Sequence, residues 1–300
     1  MTNESFVYKR KCVDEIIPRE FDFEFPDDLD THWIPGNPVR SHLFNGISMT
    51  MPYLEPFMMR TMMASKAEIT NPALLADVND FVAQEGHHYK CHRRLNDLIK
   101  RNGHAHLVKL EERLARDYKK LGKRSLRARL AYSAGFEAMS NGFTTWLIRK
   151  RWSLFKNASP HVTSFWLMHM IEETEHKTVA HDAYMATSGD YFPRMLGVFH
   201  GSYHVLAAGL SSMISCLKAE KVLHKPKTIV GIIRELSSFV YHVGPFLLRA
   251  TLPGYDPRNE VDPGWMREWI EGYAKHPEDA KLPLVDTNDP KMPMPFALPA

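Results

Sequence analysis

The sequence predicts an all-α protein, a four-helix bundle with additional C-terminal helices, and three observations carry that expectation. Apolar residues recur at spacings of three and four from about residue 41 to 250, and no segment alternates at the period of two that a strand requires. Punctuating residues fall where helices should begin or end: Pro56, Pro72, Gly103, Pro160 and Gly189. With 300 residues and 44% hydrophobic content, the chain has enough material for one large core.

Residues 1–40 hold Pro18, Pro26, Pro35 and Pro38 among many acids and read as an extended N-terminal arm. A single helical domain spans 41–275, with a bundle at 53–187 and further apolar helices at 195–250. The first bundle helix is expected from Pro56 to Ile69, where "TNP" stops it. The second starts after Pro72 and runs to "KRNG", with Gly103 as its C-cap. A linking segment at about 105–122 precedes the third, Ser125 to Trp152, and the fourth runs from His161 to Ala186. The apolar stretch Met195–Leu217 is interrupted by His200 and His204, so it falls short of the ~20 residues a span needs. With "GIIRELSSFVYHVGPFLLRATL" behind it, it suits a buried helix or peripheral membrane contact. A turn-rich link leads to a short helix near Trp265, and the Pro-rich residues 276–300 read as a mobile tail.

Composition narrows the function. A net charge of +3 gives no basic field for nucleic acid, and clusters such as Lys123–Arg129 sit at helix ends. Cys12, Cys91 and Cys216 are odd in number and far apart, so no disulfide framework is expected, and a reducing cytoplasmic setting fits. The polar start "MTNESFVYKRKCVDE" has no apolar signal core.

The chemistry is expected on the buried stripes. In the second helix Leu74, Val78, Phe81, Glu85, His88, His92, Leu95 and Ile99 follow one another at spacings of four and three. The fourth repeats the pattern with Trp166, His169, Glu173, His176 and Ala180. Each stripe thus carries Glu-x-x-His on its apolar side. The third helix offers Glu137 among the small residues of "SAGFEAMSNG", and the first offers Glu55. At ~1.5 Å per residue, Glu55 and Glu85 both lie about 20 to 24 Å from the turn between their helices. Glu137 is likewise level with Glu173 and His176.

Four buried carboxylates without partners would cost many kcal/mol each or would have to protonate. Two divalent cations remove that cost. One Glu from each of two helices and Glu-x-x-His from each of the other two is the known di-iron or di-manganese bundle arrangement. The expected ligands are therefore Glu55, Glu85, His88, Glu137, Glu173 and His176. His92, His169 and Glu172 are further ligands or supporting groups. The competing reading pairs the acids with Arg60, Arg93 and Arg94 in a structural polar core. Glu175, His87 and His181 fall off the stripe, toward solvent or behind the ligands, and His200 and His204 read as core. The Met-rich "ISMTMPYLEPFMMRTMM" reads as core that could also border an apolar substrate.

The segments "MPYLEPFMMR", "FVAQEGHHYKCHRRLN" and "FWLMHMIEETEHKTVAHDAY" resemble the family of predicted metal-dependent hydrolases, whose members are ferritin-like. "FDFEFPDDLDTHWIPGNP" and "LPGYDP" are similar too, so the resemblance spans about residues 20 to 260. The family's Gly-Glu step falls on Leu54 and Glu55, and its Gln-Glu-x-x-His run on Gln84, Glu85 and His88. Its Trp-His-x-x-Glu-Glu-x-Glu-His-Lys run falls on His169, Glu172, Glu173, Glu175, His176 and Lys177, with Met168 where Trp is usual. A Phe-Asp step appears as His181 and Asp182.

The residues favour an oxygen-activating di-iron oxidoreductase for a small, apolar substrate, because carboxylate and imidazole ligands suit iron and manganese. An electron-transfer partner would serve it, and Tyr89, Tyr132 and Trp146 are candidate relays. The resemblance implies the alternative, a hydrolase using a dimetal-bound hydroxide, for which zinc would also serve. A third reading is a non-catalytic protein with a structural polar core. The apolar C-terminal half suggests a homodimer.

Overall fold

The computed structural model describes residues 6–9, 16–19, 23–276, 282–292 and 295–296, so Cys12 and parts of the expected arm and tail lie outside the described residues. Among the described residues the protein is helical, with no strand. Helix α1 (Pro38–Ser65) begins at Pro38 and not at Pro56. Asn37 caps it by accepting from the Arg40 N–H, and Pro52 and Pro56 both lie inside it. Pro52 lacks the N–H that would bond the Ser48 carbonyl. Asn96 Nδ2 donates to that oxygen instead, across from the second helix at 2.9 Å. Pro52 is thus accommodated in mid-helix by a distant side chain, and the helix runs on through Pro56, the proline that reads as a start signal.

Helix α2 (Pro72–Ile99) is capped by Asn71, which accepts from the Ala73 and Leu74 N–H groups. It closes in a single wide turn over Lys100–His104, with Gly103 at φ +123°. The expected linking segment holds a helix, α3 (Val108–Leu121), which buries Leu114, Tyr118 and Leu121 on one narrow stripe together with Glu111, paired with Lys100, and turns its other charges outward. Helix α4 (Leu126–Phe155) starts at the Ser125 cap. The fourth bundle helix is two: α5 (Pro160–Glu175) and α6 (Val179–Thr187). No Pro or Gly marks the break. His176 leaves helical geometry at φ −98° and ψ 7°, and the buried Lys177 ammonium donates to the Glu260 carbonyl at 2.7 Å and pairs with Asp262. Those partners lie outside the bundle, where periodicity cannot reveal them.

Helix α1 lies beside α2, α4 lies beside α5 and α6, and α1 also meets α4. Helix α7 (Tyr191–Ala219) packs on α1 and α4, and α8 (Pro226–Ala250) covers α4 and the start of α1. The approach of α7 is close: a Cβ at Gly135 or Gly197 would overlap the facing backbone of the other helix. No helix among the described residues is long and apolar enough to cross a membrane.

Helix α9 (Gly264–Tyr273) sets the Trp269 and Tyr273 rings against the Arg19 guanidinium, 5.4 and 4.9 Å from their centroids. The described part of the expected tail is tied down. Val285, Met292 and Phe296 are buried, the Val285 N–H donates to Ser164 Oγ at 2.9 Å, and the Thr287 hydroxyl donates to the Ala158 carbonyl at 2.8 Å. Buried apolar anchors and backbone bonds hold it, despite a composition typical of loose ends.

Candidate metal centre

Glu55 on α1, Glu85 and His88 on α2, Glu137 on α4, Glu173 on α5 and His176 at the end of α5 all point into the bundle, and none is more than 3% exposed. His176 Nε2 lies 3.6 Å from both Glu85 Oε1 and Glu173 Oε1. His88 Nδ1 lies 3.9 Å from Glu85 Oε2 and from Glu173 Oε1. Glu55, Glu85 and His88 form one compact donor group, and His88, His169 and Glu173 another. These separations are too long for hydrogen bonds. Both oxygens of Glu55, Glu85 and Glu137, with His88 Nδ1 and His176 Nε2, are buried without any hydrogen-bond partner. Eight orphaned donor atoms around one point are what a metal centre requires and what a structural polar core would avoid.

The far side of each histidine is held. His88 Nε2 donates to Glu172 Oε2 at 2.7 Å, and His176 Nδ1 donates to Gln84 Oε1 at 2.8 Å. Each ring therefore turns a bare nitrogen to the centre, as a ligating imidazole must. Glu172 and Glu175 accept in turn from Arg19, at 3.2 Å and at 2.8 and 2.6 Å, and Gln84 Nε2 also donates to Glu175 at 2.8 Å. Glu172 thus stands behind His88, and Glu173, bonded by the Ser140 hydroxyl, faces the centre.

A second chain fixes the extra histidines. Ser48 Oγ donates to Asn96 Oδ1 at 2.6 Å, so it accepts from His92 Nδ1 at 2.8 Å. His92 Nε2 is left as acceptor for His169 Nδ1–H at 3.0 Å. Both nitrogens of His92 are engaged. His169 Nε2 is turned inward, 3.1 Å from Glu173 Oε1 and 3.8 Å from Glu55 Oε1, where it can serve as a third imidazole donor.

Without a cation the electrostatics are adverse. Burial, and then the neighbouring carboxylates, push Glu55, Glu85 and Glu137 well above the usual carboxylate range. Burial acts the same way on Glu173, but in the metal-free site hydrogen bonding and positive charge from the His169 and His176 rings outweigh it and hold this carboxyl well below that range; the bare nitrogens are those of the metal-bound state. Burial and neighbouring rings also drive His88 and His92 down, which keeps them neutral and able to donate a lone pair. Divalent cations would neutralise the acids and occupy the orphaned atoms, so the donor set fits them.

A narrow pocket touches the centre at Glu173, His169 and Ser140, with walls that include Met51, Phe143, Trp166, Leu206 and Phe239; it offers only about 30 Å³ of free space. Ile47, Leu206 and Phe239 also line a groove of about 810 Å³ between α7 and α8. Around that groove Phe199, Tyr203, Val240 and Leu248 are exposed.

The sequence left several of these groups unseen. Arg19, far upstream, carries no spacing signal, and neither do Ser48, Ser140 and Asn96. Arg60, Arg93 and Arg94, named for the competing reading, are exposed. Glu175 is buried behind the ligands, His181 is buried beside Tyr255, and His87 is half-buried. His200 is exposed, and His204 is half-buried and bonded to the Tyr132 hydroxyl at 2.9 Å, so neither is core.

A family model described as "Predicted metal-dependent hydrolase" matches residues 17–260. No curated protein and no solved structure matches the chain.

Proposed function

The chain belongs to the family of predicted metal-dependent hydrolases, and from that premise we propose a dimetal enzyme that acts on a small, apolar substrate admitted between α7 and α8. The observation that carries this reading is the set of orphaned donor atoms around one point, opening on an apolar pocket. Glu55, Glu85, His88, Glu137, Glu173 and His176 would hold the ions, with His169 as a further donor. When bound, such ions supply either oxygen activation, for iron or manganese, or Lewis acidity and an acidified water.

The chain's own residues set the conditions. Glu172 and Gln84 fix which nitrogen of His88 and His176 faces inward. Ser140 holds one oxygen of Glu173. The Met, Phe and Trp walls exclude water and offer a substrate no polar handle, so recognition rests on shape and dispersion. That dryness favours oxidation of an apolar group, with electrons from a partner protein. Hydrolysis is the second reading, favoured by the description of the family itself.

Elemental analysis of the purified protein is the test, beside Glu85→Ala and Glu173→Ala. Two iron or manganese ions lost in both variants, with oxygen uptake stimulated by apolar compounds, support the oxidative reading. Zinc with cleavage of apolar esters supports the hydrolytic one. Absence of any metal lost on these substitutions refutes both.

A further inference from the structure

Far from the carboxylate centre, at the other end of α1, the fold gathers a second set of donors. His42 in the first turns of α1 is 13 residues, or about 20 Å, from Glu55. Its Nε2 lies 2.7 Å from Glu220 Oε1, just past the end of α7. His32, in the loop before α1, places its Nε2 2.8 Å from the same oxygen and 3.1 Å from His42 Nε2. His104, in the turn that closes α2, places its Nε2 3.5 Å from that oxygen. The Cys216 thiol, one turn before Glu220, groups with His42 and His104.

Hydrogen bonds cannot satisfy this arrangement. Each imidazole nitrogen carries at most one hydrogen, and a carboxylate oxygen has two lone pairs. Two hydrogens can serve the two nitrogen–oxygen edges, but the 3.1 Å nitrogen–nitrogen edge stays unbonded, and His104 Nε2, whose other polar neighbour is the Thr31 hydroxyl at 3.3 Å, finds no vacant lone pair on this carboxylate oxygen. His104 Nδ1 is also buried without a partner. A cation at the middle satisfies every edge at once. With metal–nitrogen bonds of 2.0–2.1 Å, neighbouring ligand atoms in a tetrahedral site stand about 3.3 Å apart. The observed separations, from 2.7 to 3.5 Å, bracket that spacing.

We propose that His32, His42, His104 and Glu220 form a second, mononuclear site for a divalent ion of the zinc class, independent of the carboxylate centre. Three imidazoles and one carboxylate, with a buried thiol adjacent, favour a borderline ion over magnesium or calcium. The ligands come from the loop before α1, from α1, from the end of α2 and from the end of α7, so the ion would clamp α7 to the bundle. Loading requires the His42 proton on Nδ1, which gives up only a long 3.4 Å contact from Asn45 Nδ2.

The test uses the full chain, stripped with a chelator, reloaded with zinc alone and dialysed. The wild type should retain one zinc more than the His32→Ala/Glu220→Gln double variant, and zinc should raise the melting temperature of the wild type more. Both substituted side chains reach solvent, at 38% and 21% exposure, so the variant should fold. His32→Ala alone should weaken this zinc about tenfold or more. Glu85→Ala, which disables the other centre, should keep it. Should the carboxylate centre hold no metal at all, the wild type still keeps this one zinc and the double variant loses it. Equal zinc content in wild type and double variant, with unchanged affinity in His32→Ala, overturns the site.

Discussion

Stripping the metal should make stability fall as pH rises above neutrality, the reverse of ordinary acid denaturation. Glu55, Glu85 and Glu137 are fully buried, and burial with mutual repulsion raises each carboxyl well above its unfolded value. A group with a raised folded-state pKa stabilises fully below the unfolded value and loses that contribution as pH climbs to the folded one. Histidines act in the opposite sense at lower pH: burial depresses His88 and His92, and pushes His42 and His181 down to about 4. Their contribution is complete once unfolded histidine is neutral, above about pH 7. Between about pH 7 and 8.5 the buried carboxyls dominate, and Cys216, whose thiol burial pushes up to about 12, adds a smaller fall in the same direction. Each carboxyl still protonated in the folded state then costs about 1.4 kcal/mol per pH unit. One retained proton thus removes about 2 kcal/mol across the window, a fall of about 3 °C in the melting temperature of a 300-residue chain. Loaded protein should show no such fall, because bound cations take the place of the protons and bind more tightly as pH rises. The assay is thermal unfolding followed by circular dichroism, with chelated and reloaded samples side by side. Parallel curves for the two would refute the buried-carboxylate reasoning.

Four further outcomes follow from particular contacts. Arg19→Ala leaves Glu172 and Glu175 buried without their cation and should cost about 3–5 kcal/mol in denaturant unfolding; an unchanged midpoint would show that the network is idle. Glu172→Ala should lower metal affinity by about 10- to 100-fold in competition with a chelator, because His88 loses the acceptor that orients it. Gly197→Ala drives a methyl into the α4 backbone and should destabilise by at least about 1–3 kcal/mol, whereas Gly244→Ala, with only an ordinary contact near its Cβ, should not. Leu206→Trp, at the neck between pocket and groove, should keep the metal content and cut turnover of apolar substrates about tenfold or more.

What could be read from the chain and what could not divide along a physical line. Glu85, His88, Glu173 and His176 were legible because burial obeys helical period, and a polar group on an apolar stripe stands out. Glu55 and Glu137 were legible as the acids level with them. Spacing put Glu173 on the stripe but left its neighbour Glu172 as a further candidate; Arg19, more than 150 residues upstream, draws Glu172 to its own side. The same holds for backbone. Pro56 reads as a helix start although α1 begins at Pro38, and the Asn96 amide that lets the helix pass the upstream Pro52 lies on another helix. The break at His176 depends on Glu260 and Asp262 holding Lys177. Local pattern announces what a segment needs, and the partner that meets the need is a tertiary fact. The His32, His42, His104 and Glu220 group was missed for that reason: its members share no period and meet only when four chain segments close.

The division of labour in the fold bears on specificity. Every donor of the carboxylate centre comes from α1, α2, α4 and the end of α5, while α7 and α8 contribute Val205, Leu206 and Phe239 to the narrow pocket. On the opposite side the centre is closed by Arg19, Glu172, Glu175 and Gln84, with Trp269 and Tyr273 of α9 stacked over the guanidinium. Opening that side would strand buried charges, at a cost of several kcal/mol. Parting the apolar side chains between α7 and α8 strands none. Among the described residues the groove between α7 and α8 is therefore the less costly route for the proposed substrate, and its lining is largely apolar. Changes in the lining of α7 and α8 should alter which molecule is accepted without altering which ions are held, and changes in the bundle should do the reverse.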